Sequence, residues 1–160
     1  MIVTDISNGI TGALYDYTGA PTYADLPRQN MIFPCFRVLL INPTQYNELG
    51  PMRRRSYDFD IQYYLDETGD IEDEDKLREL ADDLYSVLEF IKLENGQLVR
   101  GWDMNYRITD GILHFYVTYI VFVTKPHEDV PKMKTLKQNW RTTNGRDEAI
   151  SPDLGDGRNI

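Results

Sequence analysis

Asp58 and Asp60 stand two residues apart in an alternating stretch, so they share a strand face and could act as a paired general acid and base. Together with His114 they are the groups a small hydrolase or nucleotide-binding enzyme would use. Tyr57, Phe59 and Ile61 alternate with them and are apolar, so the plainer expectation is a solvated polar face opposite a buried one. His114 has no Cys, Glu or His at ligand spacing, and His127 lies apart from it, which suits a hydrogen-bonded structural histidine.

The run Asp66-Glu67-Thr68-Gly69-Asp70-Ile71-Glu72-Asp73-Glu74-Asp75 invites a calcium reading. Its spacing is wrong for one: a helix-loop-helix calcium site places alternating oxygen ligands before its glycine, and here Gly69 precedes most of the acids. A charged loop leading into a helix N-terminus is expected instead. Cys35, the single cysteine, cannot form an internal disulfide, and in Phe33-Pro34-Cys35-Phe36 it reads as a small apolar strand residue. No phosphate-binding glycine loop, nucleophile-elbow serine or zinc pattern occurs. Catalytic, metal and cofactor residues are accordingly not expected, and the chain does not read as an enzyme.

Arg53-Arg54-Arg55 stands out in a chain of net charge −9. Adjacent arginines tend to meet carboxylates or phosphates, and these are expected on a loop at the mouth of a hairpin. If identical subunits form a ring, this basic loop could face the acidic segment of the next subunit, through Asp66, Glu67, Asp70 and Glu72, in a contact that closes by rotation.

Periodicity supplies the elements that would position these groups. Val3, Ile6, Ile10, Ala13, Leu14 and Tyr17 predict a first helix, weakened by Gly9 and Gly12 and ended by Gly19-Ala20-Pro21. The apolar run Phe33–Ile41, bounded by Asn42-Pro43-Thr44, predicts a buried strand. Tyr57–Leu65 alternates as a second, joined to it through Asn47-Glu48-Leu49-Gly50-Pro51. Leu77, Leu80, Ala81, Leu84, Val87, Leu88 and Ile91 predict a second helix that stops at Asn95-Gly96. Leu98, Trp102, Met104, Tyr106 and Ile108 on one face, then Leu113 to Val123, predict a second hairpin turning at Asp110-Gly111.

The expected fold is a single α/β (α+β) domain over 1–124. Its four-stranded antiparallel or mixed sheet runs in helix-hairpin-helix-hairpin order, with helices on one face. After Lys125-Pro126 the periodicity stops, and 125–160 reads as an extended C-terminal arm, mobile in isolation. A neighbour would have to bury its Met133, Leu136 and Trp140.

Composition narrows the class. At 160 residues and 41% hydrophobic, one folded, soluble domain is expected, without an apolar run that spans a bilayer and without a signal peptide. The acidic balance argues against general nucleic-acid binding, because phosphate contacts need a basic surface. Protein partners fit better.

Pro34-Cys35-Phe36-Arg37-Val38-Leu39-Leu40-Ile41-Asn42-Pro43, then Glu48-Leu49-Gly50, Arg53-Arg54-Arg55 and Tyr57-Asp58-Phe59-Asp60-Ile61-Gln62-Tyr63-Tyr64, resembles the tail terminators of long-tailed phages and prophages. The pattern and element order match over about residues 1–124. The resemblance implies a virion protein of the tail neck, made in the host bacterial cytoplasm. Such a protein forms a ring, usually of six copies, on the head-proximal end of the tail tube, ends tube polymerisation and offers a surface to the head-completion or connector proteins. It implies no enzyme, no cofactor and no membrane, and phage DNA passing through without specific binding. The rival readings are another neck protein, such as a head-tail connector or tail-completion ring, a small hydrolase using Asp58, Asp60 and His114, and a monomeric regulatory binding module.

Overall fold

The computed structural model of the chain describes residues 1–24, 30–66, 74–126 and 135. The unit Met1–Pro126 contains, in order, α1 (Ile2–Thr18), β1 (Thr22–Ala24), β2 (Cys35–Asn47), β3 (Met52–Tyr64), α2 (Glu74–Val87), β4 (Phe90–Lys92), β5 (Leu98–Thr109) and β6 (Ile112–Thr124). Its strands form one six-stranded sheet in the order β1-β2-β3-β6-β5-β4, mixed because β1 joins β2 in parallel, and curled into a half-barrel. The expected four-stranded sheet in helix-hairpin-helix-hairpin order is therefore wrong. The added strands, β1 and β4, have three residues each, too short for a two-residue period to register in sequence. Ile91, expected on the second helix, is instead the buried centre of β4, because an apolar residue at helical spacing also fits a strand that starts just past the helix end.

The helices form for the reasons their stripes suggest. Ile6, Ile10 and Leu14 repeat at four-residue spacing and are fully buried, and α1 stops where Gly19 takes a left-handed conformation and donates to Tyr15 O. Leu77, Ala81 and Leu84 do the same for α2. These stripes pack with Phe36, Val38, Phe59, Ile61, Leu113, Phe115, Val117 and Tyr119 into one apolar core. Among the described residues, no helix is long and apolar enough to cross a membrane.

The β2–β3 hairpin is longer than its apolar run foretold. β2 continues through Asn42-Pro43-Thr44 to Asn47, with a bulge between Leu40 and Asn42. Pro43 is tolerated because β1 pairs only with Phe36–Val38, so the missing N–H costs no ladder bond on that side. β3 correspondingly begins at Met52, which places Arg53, Arg54 and Arg55 inside a paired strand, not on a loop. Asp110 and Gly111, both at positive φ, make the tight turn between β5 and β6 that their sequence predicts. β5 itself does not keep one alternation: a bulge between Trp102 and Asn105, with Asp103 at φ 51°, swaps its faces. Val99 and Gly101 point inward before the bulge and Met104, Tyr106 and Ile108 after it, which leaves Leu98 and Trp102 exposed.

Candidate functional site

Two groupings of polar side chains arise from this framework, both on the β2–β3–β6 ladder. Cross-strand pairing puts Asp58 beside Thr118, Asp60 beside Tyr116, Gln62 beside His114 and Tyr64 beside Ile112. All face away from the main core. The expected solvated surface is not what forms there. Asp60 is 8% exposed and Gln62 is equally buried, while Tyr64 packs with Met31 and Cys35 in a second small apolar cluster.

Burial forces these groups to satisfy one another. Tyr64 Oη donates to Gln62 Oε1 at 2.6 Å, Gln62 Nε2 donates to Asp60 Oδ2 at 2.8 Å, and His114 Nδ1 lies 3.1 Å from the same oxygen. Asp58 accepts from Thr118 Oγ1 at 2.7 Å and from Asn42 Nδ2 at 3.4 Å. The two carboxylates thus tie β3 to its neighbours through separate sets of donors. They do not converge on a shared proton. Two surface clefts, one lined by Gln45, Arg53, Arg55 and Lys125 and the other by Asn8, Gly12, Asp16 and Lys92, contain neither aspartate nor His114. Among the described residues, no group of three or more His, Cys, Asp or Glu side chains is placed to hold a metal ion. Cys35 is buried, and burial pushes its thiol pKa up, away from the thiolate that nucleophilic chemistry needs.

The second grouping is basic, and the strand geometry divides it. Arg54 points to the same side as Asp58 and Asp60. There its Nε lies 3.0 Å from Glu48 Oε1, and its guanidinium covers the Tyr46 ring, 4.7 Å from the centroid. Arg53 and Arg55 point to the opposite face. Arg53 Nη1 donates to the backbone oxygens of Gly50 and Met52, both at 2.9 Å, and Arg55 Nε donates to Gln45 Oε1 at 2.8 Å. These partners are neutral. The two arginines share an open cleft of about 310 Å³ with Lys125, Thr124, Val123 and Pro126.

The sequence singled out the arginines but placed them on the turn, and it missed Lys125 and Gln45 as neighbours. Register alone brings them together, since Gln45 and Val121 flank Arg55, and Asn47 and Val123 flank Arg53. Of the expected acidic partners, Asp66 lies just beyond β3, at the far end of that strand from the arginines, whereas Glu67, Asp70 and Glu72 fall outside the described residues. Met133, Leu136 and Trp140 of the expected arm fall outside them too.

A family profile described as phage tail terminator protein matches residues 5–131. No curated protein matches the chain. One solved structure aligns at 12% identity over 80% of this chain and 96% of its own, with a TM-score of 0.42, a likeness too slight to identify fold or function. The profile agrees with the resemblance carried by the β2–β3 hairpin sequence, and it spans α1 from Asp5 onward, α2 and all six strands. The chain therefore belongs to the phage tail terminator protein family, a family of virion tail structural proteins and not of enzymes.

Proposed function

We propose that this protein caps the head-proximal end of the phage tail tube as a homo-oligomeric ring, ends tube polymerisation and joins the tail to the head-completion proteins. The observation that carries this reading is the family match over residues 5–131. The polar groups of the described unit are consistent with it. Asp58, Asp60 and His114 are engaged in holding strands together, and Arg53 and Arg55, which bond to neutral partners among the described residues, lie near a strand end, where subunits can meet.

In such a ring, DNA passes without specific binding, because a chain of net charge −9 repels phosphate and would ease its passage. The expected partners are the tail tube protein on one side and a head-completion or connector protein on the other. Sedimentation velocity over a wide concentration range, with and without the tube protein, tests the assignment. A ring alone, or one formed only with the tube, supports it. Binding to portal and adaptor proteins in place of the tube would make this a head-side ring, and a monomer indifferent to the tube would overturn the capping role.

A further inference from the structure

Arginine pairing is uneven along this chain. Arg54, Arg78 and Arg100 each have a guanidinium nitrogen within 3.5 Å of a carboxylate, on Glu48, Glu74 and Glu89. Arg53 and Arg55 are half-buried, yet among the described residues they bond only to neutral groups. A cation that loses water without gaining a counter-charge is destabilised, and a ligand that brings the anion relieves it. The neutral bonds also fix where the two guanidinium groups sit. Arg53 uses Nη1 on the carbonyls of Gly50 and Met52, and Arg55 uses Nε on Gln45, so three of five N–H donors remain on the first and four of five on the second. Lys125 joins them because its backbone N–H donates to Pro51 O at 2.8 Å, fastening the end of β6 to the β2–β3 turn. Val123 and Pro126 add an apolar lining to the same cleft, and Leu49 in the adjacent turn is 95% exposed.

We propose that the Arg53–Arg55–Lys125 cleft binds a carboxylate-bearing segment of a different protein, one that carries an apolar side chain next to its acid. Three cations gathered on a chain of net charge −9 are a local reversal of sign, which selects an acidic partner and fixes how it docks. The planar guanidinium fork matches the two oxygens of a carboxylate, and the apolar lining takes the neighbouring side chain. At about 310 Å³ the cleft is at the small end of ligand sites, enough for a short extended peptide. A DNA duplex is held by cations spread along its backbone, whereas these converge on one cleft, and Val123 and Pro126 offer nothing to phosphate. The proposal deepens the capping reading, on which it rests for the partner's identity as a neighbour in the tail, and it names the surface that meets that neighbour.

The test uses the full-length protein and a labelled peptide, Gly-Glu-Leu-Glu-Leu with an amidated end, against its counterpart with glutamine in place of both glutamates. Fluorescence anisotropy at low salt should show the acidic peptide binding at least about tenfold tighter, the gain expected from one charge-assisted hydrogen bond. Arg53→Glu with Arg55→Glu, checked for native circular dichroism, should lose that preference, and Lys125→Glu should lose part of it. Arg53→Lys with Arg55→Lys keeps the charge but not the fork, and should also lose part. In sedimentation velocity the double glutamate variant should self-associate like wild type, while its affinity for the tube protein or the head-completion protein falls at least about tenfold. Equal binding of the two peptides, or a preference unchanged in the double glutamate variant, would overturn the cleft and leave the capping reading intact. A wild-type protein that prefers the acidic peptide but neither self-associates nor binds the tube protein would keep the cleft and remove the capping reading. Self-association lost in the variant would make the cleft a contact between copies, and a short DNA duplex that binds wild type but not the variant would make it a phosphate site; either result sinks the proposal.

Discussion

Tyr119, fully buried on β6, donates its hydroxyl hydrogen to the carbonyl oxygen of Leu88 at 2.8 Å and so fastens the sheet to the residue that follows α2. Burial raises its pKa far above the usual value of about 10. Below that pH both folded and unfolded chains keep the phenol neutral. Above it the unfolded chain releases the proton and the folded chain holds it, so the unfolded state binds fewer protons and stability falls as pH rises, by about 1.4 kcal/mol per pH unit for this group. Urea unfolding between pH 9 and 12 should show that decline flattened by about this amount in Tyr119→Phe.

Gly101 sits opposite Tyr119 in the β5–β6 ladder and donates its N–H to Glu89 O at 2.7 Å. A Cβ there would meet Leu88 O at 2.7 Å and Val117 Cγ2 at 2.9 Å, a backbone atom and a stiff branched side chain. Neither can withdraw cheaply. Gly101→Ala should cost about 1–3 kcal/mol, read as a lower urea midpoint at unchanged slope. Wild-type stability in that variant would mean that the α2–β4 connection is free to move away from β5.

His114→Ala removes a ring nitrogen 3.1 Å from Asp60 Oδ2, leaving a carboxylate whose other oxygen is already buried without a protein partner. A loss of about 1–3 kcal/mol at neutral pH is expected. His114→Ala combined with Asp60→Leu should recover part of it, because the stranded charge is then gone. Additive losses in the double variant would show that the two side chains stabilise the fold independently.

Cys35 is wholly buried between β1 and β3, and its thiol pKa is raised by burial. Labelling by a soluble disulfide reagent at pH 8 should be slower than that of the urea-unfolded chain by at least about 100-fold, and it should accelerate with urea in step with unfolding. Rapid labelling of the folded protein would contradict the small cluster of Met31, Cys35 and Tyr64.

The sequence by itself determined the parts that depend on near neighbours along the chain. The stripe Ile6, Ile10, Leu14 specifies a helix because residues four apart share a face, and Asp110-Gly111 specifies a hairpin because only certain residues accept two successive positive φ values. The hairpin motif from Pro34 to Tyr64 was enough to suggest the family. Tertiary structure decided what depends on partners distant in sequence. The three-residue strands β1 and β4 exist only because β2 and β5 offer them edges, and the bulge at Asp103 reverses a face that a regular alternation would have kept. The solvation of Asp60 was beyond sequence because Gln62 and His114, on two strands, have to close over it before it is buried. The three arginines, one run in sequence, became a paired Arg54 on one face and a cationic cleft on the other, because a pleated strand sends successive side chains to opposite sides.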